Sequence, residues 1–127
     1  MLASTSATER YRNRFPAAAE GHFRRLQDLW VSSIGLGTYL GDADEATDAS
    51  SADAIRAALV LGCNLLDTAI NYRCQRSERT IGATLAALVA EGTLAREEVV
   101  LCTKGGYLPF DGSVRSGHPH HAGLGVV

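Results

Sequence analysis

With 127 residues, 46% of them hydrophobic and 20% charged, the chain suffices for one modest core and not for two. A formal net charge of -2 and a pI near 6.0 give no broad attraction to phosphate backbones or anionic lipid, which argues against nucleic acid as a partner. No apolar run approaches the roughly 20 residues that span a bilayer, and Cys63, Cys74 and Cys102 form no CxxC pair. The expectation is a cytoplasmic protein without membrane insertion, in a reducing compartment.

Residues 1–21 read as an N-terminal tail lying on the domain. Their Ser and Arg content resembles a transit peptide, but Glu9 interrupts the stretch and no signal-type apolar core follows. Two short apolar runs, His22 to Leu26 and Leu29 to Val31, flank Gln27-Asp28 as a small hairpin would, and lead to a buried strand near Ser33 to Gly37. The acidic segment 41–48 reads as loop. A helix is expected from Ser50 or Ser51 as its cap, with Asp53 in the first turn, Ala54, Ile55, Ala58 and Leu59 at helical spacing, and Gly62 as its stop.

Asn64 to Ala69 has the composition of a parallel strand buried on both faces. Ser77 is placed to cap a second helix that carries Ile81, Leu85 and Leu88 on one side and stops at Gly92; Val99 to Thr103 follows as a third strand. This order predicts a parallel α/β sheet with right-handed crossovers, and the pattern by itself fits doubly wound and barrel versions equally. From Asp111 onward, residues 111–127 carry turn formers and His118, His120 and His121, and are read as a surface or poorly ordered tail.

Ligands of parallel α/β folds gather where the strands end. Asp67 ends the second strand, Tyr72 follows in the next loop, and Lys104 ends the third strand. Neighbouring strands lie roughly 4.8 Å apart, so Asp67 and Lys104 are expected to pair beneath Tyr72. A lysine cation favours the phenolate of a tyrosine whose free pKa is about 10, and a carboxylate keeps a buried ammonium charged. Lys104 is the single lysine among 12 basic residues, so a compact ammonium stands at this strand end in a chain that otherwise uses arginine.

The stretches "IGLGTY" (34–39), "LLDTAINY" (65–72), "RSERTIG" (76–82) and "LCTKGG" (101–106) together resemble the aldo/keto reductase family, over about residues 22–110. The resemblance implies an α/β fold of partial (β/α)8 TIM-barrel type, with an N-terminal hairpin, about three parallel strands and two helices. It also implies NADPH-dependent reduction of a small aldehyde or ketone without a metal. Tyr72 then corresponds to the proton donor and Asp67 with Lys104 to its tuning pair. Gly37, Thr38, Tyr39 and Asp67 correspond to contacts near the nicotinamide ribose.

The family's histidine at the end of the fourth barrel strand has no counterpart here, because His118, His120 and His121 follow Lys104 without a helix and strand to deliver them. A full barrel takes about 250 residues, so the chain alone is expected to have little reductase activity and an unpaired edge open to self-association. Two rival readings are a cofactor-sensing regulatory subunit and a fragment without independent function. Simpler roles are expected elsewhere: Gly35 and Gly37 as packing glycines, Tyr39 and Tyr107 as pocket aromatics, and the three cysteines as small residues, with Cys74 near Arg73 and Arg76 somewhat activated. Asp42, Asp44, Glu45 and Asp48 lack the glycine and ligand spacing of a calcium loop and are read as solvated charge.

Overall fold

The first hairpin closes on a two-residue turn. Phe23–Leu26 (β1) pairs antiparallel with Leu29–Ser32 (β2), and Gln27 takes the positive φ, 53°, that so tight a reversal demands. In this computed structural model, which describes residues 2–107 and 111, the hairpin is followed by three parallel strands, Gly35–Gly37 (β3), Leu65–Asp67 (β4) and Val100–Cys102 (β5), in the spatial order β3-β4-β5. The helices Glu45–Val60 (α2) and Arg76–Ala90 (α3) connect them. The architecture is mixed α/β with hairpin, parallel strands and crossover helices in the order the sequence predicts, and no closed barrel exists among the described residues.

Apolar spacing dictates the core. Ile55 and Leu59 from α2 meet Ile81, Leu85 and Leu88 from α3 over Leu66 of the central strand, with Leu94 and Val99 closing one end and Leu36 and Leu101 packed alongside. Leu66 is wholly buried, whereas its neighbours Leu65 and Asp67, which point to the other face, are only half-buried, and Cys102 beside them is exposed. Helices α2 and α3 cover one face of the strands, whereas on the other Val100 is buried at the strand foot, Leu65 and Asp67 are half-buried and Cys102 is exposed, so the expectation of burial on both faces is corrected towards the strand ends. Beyond the edge strand β5, an apolar groove of about 410 Å³ runs between Leu101 and the α3 residues Ile81, Leu85 and Val89.

Three local expectations are also corrected. Helix α2 starts at Glu45, not near Ser50, because Asp44 accepts a hydrogen bond from the Thr47 amide at 2.8 Å, and Glu45 and Asp48 favour the positive end of the helix dipole. Ser77 does not cap α3. It lies inside the first turn, buried, and its hydroxyl donates to the Thr38 carbonyl at 2.7 Å. The segment read as a tail contains a helix, Thr5–Asn13 (α1), capped by Ser4 and seated by Ala7, Thr8 and Tyr11. The remainder of the tail reading beyond Asp111, with its three histidines, falls outside the described residues.

Asn64 fastens the hairpin to the sheet. Fully buried at the foot of β4, its side chain accepts from the Ser32 amide at 2.9 Å and donates through Nδ2 to the carbonyls of Trp30 and Glu98 at 3.0 and 3.1 Å, and its own backbone amide donates to the Ser32 hydroxyl at 3.0 Å. Asn64→Leu keeps the branching of the side chain, adds apolar bulk and strands several buried backbone groups, each costing roughly 1–3 kcal/mol. A stability loss of about 2–4 kcal/mol is expected in a urea titration, and a loss below about 0.5 kcal/mol would show that water takes over these bonds.

Candidate active site

The register that pairs Gly37 with Asp67 and Asp67 with Cys102 puts three strand ends side by side. The ladder continues past the strands, with the Thr68 amide bonded to the Cys102 carbonyl at 2.9 Å and the Ile70 amide to the Lys104 carbonyl at 3.1 Å, so Lys104 is drawn alongside Thr68. Two residues beyond Cys102, its side chain returns to the face that Asp67 occupies. The Lys104 ammonium accordingly donates to Asp67 Oδ1 at 2.6 Å and to the Thr68 carbonyl at 2.8 Å, and it lies 5.0 Å from the centroid of the Tyr72 ring.

The hydrogen bond to the Asp67 carboxylate holds Lys104 above the ordinary lysine value of 10.5; partial burial works against this, and the Tyr72 side chain adds to it. A group raised in this way contributes fully below its unfolded value and loses its contribution as pH climbs through the folded one. The ion pair thus stands complete across the neutral range. Both side chains are about half exposed, 50% for Lys104 and 48% for Asp67, so the expected buried ammonium is not what is found. The carboxylate is not needed here to rescue a desolvated cation; its effect is to fix where the cation sits, and solvent screening keeps the stability gain small.

Tyr72 is presented by an unusual turn. Arg73, Cys74 and Gln75 have φ of 48°, 55° and 71°, three successive residues in the left-handed region that glycine favours. Each non-glycine residue there costs roughly 1–2 kcal/mol. Across the site, Tyr39 meets the Tyr72 ring edge-on, with centroids 5.0 Å apart. Cys74 is buried and shielded from solvent reagents, which removes the ground for reading it as an activated thiol.

The two glycines before this region differ. A Cβ on Gly35 would come within 3.0 Å of the Leu65 side chain, so packing explains that glycine; one on Gly37 would meet nothing within 4 Å, so packing does not. Gly37 and Tyr39 are exposed beside the half-exposed Asp67 carboxylate, a surface suited to a ribose hydroxyl and a flat ring. Thr38 differs from its neighbours, being buried with its hydroxyl donating to the Asp67 carbonyl at 3.1 Å. Its role in the geometry is to brace the strand end. Arg73 and Arg76, the cations of the adjoining turn, are both joined to Asp48, so these residues fit the ribose end of a nicotinamide nucleotide better than its phosphates.

Asp67, Tyr72 and Lys104 are brought together as the sequence predicts, and Gly37 and Tyr39 border them. Sequence reasoning missed Arg73 and Asp48. The acidic segment holding Asp48 is not merely solvated: burial pushes that carboxyl up, and the hydrogen bonds from Arg76 and Arg73 outweigh it, leaving Asp48 below its ordinary value. The opposite charges of the acidic stretch "DEATD" and the basic stretch "YRCQR" were the one available signal. Residues 33–123 match the family model described as the aldo/keto reductase family, whose members are oxidoreductases that generally use NAD(P)H. Since that match takes in all three parallel strands and the whole strand-end cluster, the chain belongs to the aldo/keto reductase family.

Proposed function

We propose that the strand-end cluster reduces the carbonyl group of a small aldehyde or ketone at the expense of NADPH, with residues 22–110 as the reductase portion of the chain. The cofactor, when bound, supplies the hydride to the carbonyl carbon. Tyr72 gives its phenolic proton to the carbonyl oxygen, which leaves as the alcohol. Lys104, charged throughout the neutral range, favours the phenolate left behind. Asp67 holds that ammonium over the ring and offers its exposed oxygen to a ribose hydroxyl, while Gly37 and Tyr39 admit the nicotinamide end and Thr38 braces the strand from behind. The observation that carries this reading is the ammonium held 2.6 Å from Asp67 and 5.0 Å from the Tyr72 ring centroid.

Binding is the direct test. The chain has a single tryptophan, Trp30, which sits in the hairpin with Arg12 stacked 3.9 Å from its ring, so protein emission is a poor reporter of the strand ends. The emission of the reduced nicotinamide itself is the better signal. Titration with NADPH, and in parallel NADH, is expected to give saturable binding that Asp67→Asn weakens about fivefold or more, the loss of one charge-assisted hydrogen bond being worth roughly 1 kcal/mol or more. No saturable binding by the wild type would reject the reading, and equal binding by Asp67→Asn would remove Asp67 from it.

A further inference from the structure

Residues in the left-handed region persist where the surroundings over-determine them, and the turn 73–75 has one such surrounding group. The Arg73 side chain is 1% exposed. Its Nε donates to the Asp42 carbonyl at 2.8 Å, one terminal nitrogen to the Asp44 carbonyl at 3.2 Å and to Asp48 Oδ1 at 2.6 Å, and the other to the Ser51 hydroxyl at 3.5 Å. All four acceptors belong to the β3–α2 connection or to the first turns of α2. The other oxygen of Asp48 takes Arg76, at the head of α3, at 2.6 Å, and Thr80 donates to Oδ1 at 3.3 Å.

The connection that Arg73 grips is the one that begins with Thr38 and Tyr39, and the residue before Arg73 is Tyr72. A single planar fork therefore fixes both partners of the Tyr39–Tyr72 contact, one through the chain and one through its acceptors. A lysine has neither the fork nor the reach to bond a side chain and two carbonyls in that plane.

We propose that Arg73 is a positioning residue, whose buried guanidinium, seated on Asp48 and on the backbone of the β3–α2 connection, holds the left-handed turn and so sets Tyr72 against Tyr39 above the strand ends. The catalytic meaning of that placement rests on the carbonyl-reduction reading; the placement itself does not.

Glycine adopts the φ of residue 73 without strain, so Arg73→Gly deletes the guanidinium without opposing the turn, and Cys74→Gly relaxes the same turn with the guanidinium kept. The contact between the Tyr39 and Tyr72 rings is read as nuclear Overhauser effects between their ring protons, assigned with Tyr39→Phe and Tyr72→Phe, with melting and NADPH titration on the same samples. Below the melting transition, Arg73→Gly is expected to lose at least about half of the ring-to-ring intensity, Cys74→Gly to keep it, and methylguanidinium added to Arg73→Gly to restore part of it. Wild-type intensity in folded Arg73→Gly overturns the proposal. Should that variant not fold, Asp48→Asn decides in the same way: loss of the contact supports the latch and retention overturns it. Absence of NADPH binding by the wild type would count against the reductase reading and leave the ring measurement to decide this inference by itself.

Discussion

Tyr72→Phe is expected to lower the NADPH-dependent carbonyl reduction that the chain sustains, small as that activity is expected to be for so short a chain, by about 10²–10⁴-fold, the range for removing a positioned general acid, while the Kd for NADPH stays within about twofold. The argument is geometric. Phenylalanine keeps the ring that Tyr39 meets edge-on and over which the Lys104 ammonium lies, and it removes only the hydroxyl. Loss of rate with binding intact is the signature of an interaction made in the transition state and not in the ground state. Single-turnover loss of nicotinamide absorbance, with protein in excess over NADPH and a saturating aromatic aldehyde, gives the rate; the fluorescence titration gives Kd. Lys104→Met provides the second arm. With the raised ammonium gone and the ring and phenol still present, the rate is expected to fall, because the phenolate left by proton transfer has lost its nearest cation. Turnover in Tyr72→Phe equal to wild type would mean that another group delivers the proton, and the role given to Tyr72 would have to be abandoned.

What the sequence made legible was whatever short-range pattern specifies. The two apolar runs on either side of Gln27-Asp28 predict a hairpin, and it forms with Gln27 at positive φ. Ile81, Leu85 and Leu88 recur at helical spacing and end up in one core. Asp67 and Lys104 are visible as charges at the ends of apolar runs, and their meeting follows from parallel register alone. The start of α2 was hidden because its first two turns, Glu45 to Ala52, carry no residue larger than threonine that is apolar, so the acidic residues looked like loop although they were a cap and a dipole partner. Helix α1 was hidden for a similar reason, its buried face consisting of Ala7, Thr8 and Tyr11 within a run of polar residues.

Arg73 lay beyond reach for a different reason. Its acceptors are 22 to 31 residues away in sequence, and no local propensity places an arginine in the left-handed region. Local preference and tertiary requirement conflict at residues 73–75, and such conflicts are expected where a site is being shaped. The departure coincides with the loop that carries Tyr72.

Tyr11→Ala is expected to cost about 3–5 kcal/mol, the range for deleting a buried aromatic side chain, and to lower Tm by more than about 10 °C. Tyr11 is 0% exposed, and its ring packs against Phe15 and Phe23 with centroids 5.1 and 6.1 Å away. Its hydroxyl donates to the Leu59 carbonyl, in the last turn of α2, where backbone carbonyls have no further amide of the helix to accept from. The helix that sequence reasoning took for a tail is therefore the C-terminal cap of α2 and one wall of the hairpin's small aromatic cluster. Burial drives the phenol well above its ordinary value, so it remains a neutral donor across the working range of pH. Further bonds tie the same segment down: the Ser4 amide to the Glu97 carbonyl at 3.1 Å, Arg14 to the Thr93 carbonyl at 2.9 Å, and Arg14 to Glu98. Tyr11→Phe separates the two contributions, since it keeps the ring and strands the carbonyl, at about 1–3 kcal/mol. Thermal melts of the two variants and of wild type decide the matter. If Tyr11→Ala melts within about 2 °C of wild type, α1 is an appendage and the hairpin and α2 are held by the sheet; if the alanine and phenylalanine variants melt together, the hydrogen bond outweighs the packing of the ring.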